Sequence, residues 1–175
     1  MFMELLKKRR SIRKFKKLPV ESEKLQILKE ALLRAPSSRG INPWEFVFVT
    51  DKQLLIQLSA SKTSGAEFLK DSPLGIVVCA DEKISDVWIE DCSIASIIVQ
   101  LEAEDLELSS CWIQIRNRMH KEGMSSEKYI RDLLGIPSDY KVECIIAVGY
   151  PDETKRSHTI EELDFSKISD NKYTG

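Results

Sequence analysis

The stretch that most constrains the fold is a long apolar segment in the middle of the chain, residues 87–108. A helix that is apolar on several faces is either central to a domain or buried again by a partner. This segment fits that description, because its apolar residues cannot all share one face; they are Val87, Ile89, Cys92, Ile94, Ala95, Ile97, Ile98, Val99, Leu101, Ala103 and Leu106.

Four other apolar runs predict the strands of a sheet. Residues 45–50 and 74–80 are almost continuously apolar, which is typical of strands with both faces covered. The pair Ser109-Ser110 is interpreted as a turn into a third strand at 111–115, and 142–148 is the fourth.

Helical spacing or turn residues predict the remaining helices. In the predicted helix at residues 21–35, Ser22 is the expected N-cap and Pro36 ends the helix. The predicted helix at residues 127–134 ends at Gly135, which is followed by Pro137. The predicted helices cover residues 2–9, 21–35, 51–59, 66–70 and 127–134.

The charge of the chain is small but unevenly distributed. The net charge is −2, yet residues 1–40 hold 12 Lys and Arg against 4 Asp and Glu, a balance of +8 that leaves −10 for the rest. Such a basic region suits nucleic acid, a membrane surface or a cofactor phosphate, and charge does not choose among them.

At 175 residues the chain is long enough for one well-buried domain.

Several common sites are missing from the sequence. It contains no phosphate-binding glycine loop, no HExxH and no GxSxG motif, and its two histidines, His120 and His158, are expected at the surface. Acidic pairs such as Glu90-Asp91 are expected on solvated faces. The four cysteines lie in apolar runs without CxxC spacing, so neither a metal site nor a disulfide framework is predicted. No run reaches the roughly 18 apolar residues of a membrane helix, so a cytoplasmic protein is expected.

Three arginines and a serine crowd the stretch Arg-Arg-Ser-Ile-Arg-Lys-Phe at residues 9–15. Arginine offers a planar fork of donors that matches phosphate oxygens, and the serine hydroxyl adds a short neutral donor. Composition alone leaves two interpretations open, an anion site and a solvated basic face.

Five motifs in register resemble the FMN-dependent nitroreductase family, from about Leu5 to Tyr150. They are the stretch at 9–15, Ala-Pro-Ser-Ser at 35–38 leading to Asn-Pro-Trp at 42–44, Ser-Ser-Cys-Trp-Ile at 109–113, Leu-Gly-Ile-Pro at 134–137 and Ala-Val-Gly-Tyr-Pro at 147–151. The resemblance implies an α+β fold, a three-layer α/β/α sandwich with a mixed, largely antiparallel sheet. It also implies an intertwined homodimer in which residues 1–150 form the FMN-binding domain and 151–175 an arm that packs on the partner subunit.

The resemblance also assigns the site. Two FMN molecules would lie at the dimer interface, with chemistry on the flavin and no catalytic side chain; Arg13 would be a cation near the pyrimidine edge that stabilises charge on reduction. The other implied FMN contacts are Arg9, Arg10 and Ser11 at the phosphate and ribityl chain, Pro36, Ser37 and Ser38 from the opposite subunit, Asn42 in place of the usual glutamine, and Lys155 or Arg156 closing over the phosphate.

The chain departs from the family at several positions. Glu107 and Ser109 replace two glycines, which puts the turn beside the flavin in question, and Gly40 and Gln114 replace the common Asn and Gly. Residues 116–125 are either a lid with its own cations, which would recruit an anionic acceptor or the phosphates of NAD(P)H, or an exposed helix.

The leading hypothesis is therefore a ping-pong oxidoreductase. NAD(P)H would reduce FMN and leave, and a small electron-poor acceptor such as a nitroaromatic or quinone would then take the electrons. Two alternatives stay open at this point, a non-enzymatic protein whose basic region binds RNA or another polyanion, and a flavin-binding relative that has lost turnover. No nucleic-acid or membrane partner is expected on the leading hypothesis.

Overall fold

A computed structural model describes residues 2–173 and 175. Its five α-helices are α1 Phe2–Lys8, α2 Ser22–Leu33, α3 Lys52–Ser59, α4 Trp88–Asp105 and α5 Ser126–Leu134. Its six strands are β1 Trp44–Val49, β2 Leu74–Asp81, β3 Ser109–Gln114, β4 Met119–Lys121, β5 Met124–Ser125 and β6 Tyr140–Gly149. Met1, the first residue of the predicted domain, and Thr174, in the predicted arm, lie outside the described residues.

The main sheet has the order β1-β2-β6-β3, and each neighbouring pair is antiparallel. A single residue bridge, Ser11 to Ser110, adds a parallel contact at the outer edge of β3. Because the alternate side chains of a strand point to opposite faces, the apolar runs of β2 and β6 supply two separate cores. The predicted α+β fold with a largely antiparallel sheet is therefore confirmed.

Helices cover both faces of this sheet. On one face α2 and α4 contribute Leu28, Leu32 and Val99 to a core, and on the other α3 and α5 contribute Leu55 and Ile130. The three-layer arrangement explains why β2 is buried along almost its whole length, as its continuous apolar run predicted.

Helix α4 confirms the first of the two alternatives given for residues 87–108, a helix central to the domain. One face packs on the sheet through Cys92, Ala95 and Val99, which are fully buried. The opposite face leaves Ile94 and Ile97 each 40% exposed. The helix is therefore central to the fold and still carries an apolar surface.

Three local predictions are wrong. Ser22 is the first residue of α2 rather than its cap, and Glu21 stands at the cap position without a side-chain hydrogen bond. Ser109 and Ser110 belong to β3, because the chain turns earlier, where the Leu108 amide donates to the Ala103 carbonyl at 2.8 Å. The exposed helix considered for residues 116–125 is a short β4–β5 hairpin. The glycine cap of α5 is confirmed, with Gly135 at φ 69°.

The last 25 residues contain two short 3₁₀ turns, Ile160–Glu162 and Phe165–Lys167. Large apolar side chains of this segment are exposed, including Ile168 at 68% and Tyr173 at 87%. No helix in the described part of the chain is both long and apolar enough to span a membrane.

The turn between α4 and β3 gives a first prediction about stability. Glu107 adopts φ 62°, a left-handed conformation that favours glycine and costs other residues about 1 kcal/mol or more. Glu107→Gly is expected to raise the melting temperature by about 2–4 °C, because a gain of about 1 kcal/mol in the free energy of unfolding produces a shift of that size in a domain of this length. Thermal unfolding followed by circular dichroism measures it.

Ser109→Gly is the matched control at the second replaced glycine. Ser109 lies in β3, is buried, and donates its hydroxyl to Glu104 Oε1 at 3.2 Å. Its replacement should lower the melting temperature, because a hydrogen bond to a buried carboxylate is lost. Equal shifts for the two variants would contradict the conformational explanation.

Candidate functional site

The stretch Arg9–Phe15 runs along the outer edge of β3. The Ile12 amide donates to the Ser110 carbonyl at 3.0 Å, and Phe15 bridges to Pro151 beyond β6. Ile12 and Phe15 are buried in the core, which anchors the segment by its apolar side chains. The polar residues between and before them are left at the surface of this edge.

Arg9 and Arg10 differ in their partners. The Arg10 guanidinium donates to the backbone carbonyl of Arg156. The Arg9 guanidinium, by contrast, makes no hydrogen bond or ion pair with any described residue, although the residue is half-buried. A half-buried guanidinium with all its donors unused is ready to receive an anion.

Residues 153–156 close over this stretch from the end of the chain. Lys155 Nζ donates to the Ser11 carbonyl at 2.5 Å, and Glu153 Oε1 accepts from the amides of Arg13 at 2.6 Å and Lys14 at 3.2 Å. These bonds hold Lys155 beside Ser11. Lys155 therefore joins the basic stretch in three dimensions, although 144 residues separate it from Ser11.

Arg156 is held elsewhere. Its guanidinium pairs with Glu162, where the Nη1 to Oε2 distance is 2.8 Å. Hydrogen bonds from the Arg156 side chain and from the Thr159 backbone amide lower the pKa of Glu162 to about 2. Two cations are predicted near the phosphate, Lys155 and Arg156. Lys155 bonds to Ser11 with its side chain, whereas Arg156 contacts the stretch only through its backbone carbonyl, which accepts from Arg10.

Beneath the stretch lies Cys111, which is buried in β3. Burial raises the pKa of its thiol, and the nearby positive charges of Arg13, Lys155 and Lys62 oppose that rise. The side chain is a core thiol rather than an activated nucleophile. All four cysteines are buried and free, as the sequence predicted.

A further cation, Lys62, is close enough to Arg13 and to Arg118 for their charges to act on it. Lys62, in the loop after α3, has its pKa lowered by burial and then by the positive charge of Arg118, which precedes β4. The sequence analysis named the segment that contains Arg118 but missed Lys62, because Lys62 belongs to no motif and its position depends on tertiary contacts alone.

The loop Pro36–Asn42 is organised around Asp91 of α4. The Ser38 amide donates to Asp91 Oδ1 at 2.8 Å and the Ser85 hydroxyl to Oδ2 at 3.3 Å. Asp91 is only 2% exposed, so the solvated face expected for Glu90-Asp91 is wrong for this residue. The two hydrogen bonds satisfy the buried carboxylate of Asp91. The sequence pattern does not indicate this pairing.

Asn42 belongs to the same loop. Its amide donates to Ser37 Oγ at 2.8 Å, and the Ser37 hydroxyl lies 2.6 Å from Asn42 Oδ1. Within the described residues, no hydrogen bond or ion pair joins this loop to residues 9–15. Within one copy of the chain, no polar contact among the described residues therefore links the two predicted halves of the site.

Neither histidine is arranged as a metal ligand. His120 Nδ1 lies 2.7 Å from the Ala60 carbonyl and its ring stacks on Tyr129 at 4.0 Å, while His158 stands 3.4 Å from Glu162. Residues 2–173 and 175 contain no group of three or more His, Cys, Asp and Glu side chains that could hold a metal ion.

The donors along the stretch fit a phosphorylated cofactor. The Arg9 guanidinium, which has no hydrogen-bond partner among residues 2–173 and 175, the Ser11 hydroxyl and Lys155 combine two cations with a neutral donor, which is the chemistry of phosphate recognition. Two carboxylates lie near these donors: Glu153 accepts from backbone amides and pairs with Lys155 at 3.6 Å, and the charge of Arg9 acts on the buried Glu104. Charge and hydrogen-bonding capacity at this edge therefore favour an anionic ligand.

Comparison with known proteins gives consistent matches. The model of the Nitroreductase family matches residues 6–62 and 55–150. A curated protein of Archaeoglobus fulgidus, named "Putative NADH dehydrogenase/NAD(P)H nitroreductase", is 34% identical over 157 residues, 87% of each chain.

Solved structures match over nearly the whole chain. An FMN-dependent nitroreductase from Clostridium difficile is 51% identical, with a TM-score of 0.96 over 98% of this chain and 99% of its own. A second, an NADPH:FMN oxidoreductase from Vibrio harveyi, shares the fold at 23% identity and a TM-score of 0.84, over 99% of this chain and 78% of its own.

Proposed function

The chain belongs to the nitroreductase family of oxidoreductases, and we propose that it binds FMN at the Arg9–Phe15 edge and passes electrons from NAD(P)H to a small electron-poor acceptor. The acceptor would be a nitroaromatic, a quinone or a similar molecule. The observation that carries the proposal is the half-buried Arg9 guanidinium, which makes no hydrogen bond or ion pair with the described residues and belongs to the same stretch as Ser11, where Lys155 is bound. The polyanion-binding alternative is not favoured by the family match.

The proposed phosphate contacts are Arg9, Arg10, Ser11 and Lys155, with Arg156 at the rim. Arg9 would donate to the phosphate through both arms of its guanidinium, and Lys155 would add a point charge from the opposite side. The carbonyl that Arg156 gives to Arg10 orients that side chain along the same edge. On this proposal, cations from two distant parts of the chain would bind one anion.

When bound, FMN would supply the redox chemistry, a ping-pong exchange between NAD(P)H and the acceptor. The chain's own residues would bind and orient the reactants and neutralise charge. Arg13 is the candidate for the last role, because its guanidinium is exposed, lies 5.8 Å from the Phe68 ring and has no acidic partner among the described residues.

We also propose that the working form is a homodimer. Pro36, Ser37 and Ser38 of the partner subunit would complete each FMN site, since within one copy no hydrogen bond or ion pair of the described residues joins that loop to residues 9–15. The exposed Ile94 and Ile97 of α4 and the exposed apolar side chains of 151–175 support the same proposal, because a second chain would cover them. On this proposal 1–150 is the FMN-binding domain and 151–175 an arm on the partner.

Purification tests the proposal directly. We expect a yellow protein, or a protein that gains flavin absorbance and one FMN per chain when FMN is added and excess is removed. NADH or NADPH should then be oxidised at a rate that depends on added menadione or nitrofurazone. A protein that holds no FMN at micromolar concentrations would refute the cofactor assignment, and FMN binding without NAD(P)H oxidation would instead support the relative that has lost turnover.

Arg13 gives a separate prediction about the flavin's electronics. Arg13→Ala should lower the reduction potential of bound FMN, because a positive charge near the pyrimidine edge favours the reduced, more negative state. FMN affinity should change less than in Arg9→Ala. Redox titration with reference dyes measures the potential, and an unchanged potential would remove Arg13 from this role.

A further inference from the structure

The β4–β5 hairpin is fixed on the helices beneath it. His120 stacks on Tyr129 of α5 and contacts the Ala60 carbonyl at the end of α3, and the Tyr129 hydroxyl donates to the Gln57 carbonyl at 3.1 Å. The Ser126 amide donates to the Arg118 carbonyl at 2.9 Å. Both ends of the hairpin are therefore held by polar contacts.

A further bond ties the hairpin to the loop that carries Lys62. The Thr63 amide donates to the Met119 carbonyl at 3.1 Å, so the residues next to Lys62 and Arg118 are directly bonded to each other. This contact fixes two cations from distant parts of the sequence on neighbouring backbone. Their proximity is a property of the fold, because 55 residues lie between them in the chain.

Neither cation has an acidic partner within ion-pair distance in the described part of the chain. Lys62 makes no hydrogen bond there, and the Arg118 guanidinium donates only to the neighbouring Asn117 carbonyl at 3.0 Å. The nearby carboxylate of Glu67 accepts from the Gly65 amide at 2.8 Å. Burial and then the charge of Arg118 lower the pKa of Lys62, and the charge of Glu67 opposes that shift without reversing it.

The pair also lies close to the proposed flavin site. The positive charge of Arg13 acts on Lys62, and the charges of Arg13 and Lys62 both act on the Cys111 thiol. If Arg13 stands at the pyrimidine edge of FMN, then Lys62 and Arg118 stand beside the region where a substrate would meet the ring. This step rests on the proposed function.

We propose that Lys62 and Arg118 form an anion subsite that binds the carboxylate of the electron acceptor. The subsite would favour electron-poor aromatic acids over neutral acceptors of similar redox chemistry. A carboxylate would accept from both cations and relieve their mutual repulsion, and Arg118 would add a planar donor pair. The hairpin would thus act as a fixed cover that selects charge.

Binding to the FMN-loaded protein tests the subsite without relying on turnover. The probes are 4-nitrobenzoate and its neutral methyl ester, titrated against the protein by calorimetry at low and high salt. For the unmodified protein we expect tighter binding of the acid, with an affinity that falls as salt rises. Lys62→Gln should raise the Kd ratio of acid to ester about tenfold and Arg118→Gln about threefold, because Lys62 is the more buried of the two.

Lys121→Gln is the matched control, since Lys121 is an exposed cation on the same hairpin. It should leave the ratio unchanged, and circular dichroism checks that each variant folds. Equal losses for acid and ester, or a change confined to the KM for NADPH, would overturn the subsite. Failure of the unmodified protein to hold FMN would instead refute the proposed function.

Discussion

Arg9→Ala is expected to weaken FMN binding by about tenfold to a hundredfold while the fold stays intact. Charge-assisted hydrogen bonds are worth about 1.5–3 kcal/mol, and about 1.4 kcal/mol corresponds to a tenfold change in affinity. The Arg9→Ala variant should lose this full binding free energy. The Arg9 guanidinium makes no hydrogen bond or ion pair within the described residues whose loss would disturb the fold. The loss should concern binding rather than stability.

Flavin fluorescence quenching measures the Kd, and thermal unfolding of the FMN-free protein measures stability. Lys14→Ala is the matched control, because Lys14 is an exposed cation of the same stretch whose side chain has no described partner. Both variants remove one positive charge. A similar loss of affinity in both would mean that FMN senses only the overall charge of this region, and Arg9 would no longer be a specific phosphate contact.

Gly149→Ala is expected to lower the free energy of unfolding by about 1–3 kcal/mol or more, the cost of overpacking a closed core. A Cβ atom at this position would lie 2.5 Å from Cδ and 2.7 Å from Cγ of Pro73, and 3.1 Å from Cδ1 of Phe15. The proline ring cannot rotate away, so the backbone must move. Because Phe15 anchors the Arg9–Phe15 edge, FMN affinity should fall as well.

Gly75→Ala is the control for this substitution. Its Cβ would lie 3.1 Å from Leu55 Cδ2 and 3.3 Å from Leu69 Cδ1, the mobile ends of two leucines. Those side chains can yield by a few tenths of an ångström, so a smaller loss is expected. Urea unfolding curves measure both variants, and equal stability of Gly149→Ala and the unmodified protein would contradict the packing described around Pro73.

The two predictions probe one feature from opposite sides. Arg9 tests the outward face of the edge, where an anion would bind, and Gly149 tests the inward face, where Phe15 and Pro73 hold the edge in place. A loss of FMN affinity in Gly149→Ala that matched its loss of stability would show that the site depends on the precise position of this segment.

Sequence pattern predicted most elements because burial leaves a regular trace. The continuous apolar runs of β2 and β6 and the several apolar faces of α4 follow from their position between layers, and five motifs in register identified the family. Where local chemistry competed, the pattern misled. Ser109-Ser110 has the composition of a turn, but Glu107 adopts the left-handed conformation two residues earlier and both serines join β3.

The sequence by itself thus determined the fold class, the family and the basic stretch at residues 9–15. Only the tertiary structure decided which polar groups lie next to one another. It placed Lys155 on Ser11, buried Asp91 under the Ser38 amide and brought Lys62 beside Arg118. The physical reason is that apolar periodicity is written along the chain, whereas a polar site is assembled from single residues whose distances depend on how the layers pack.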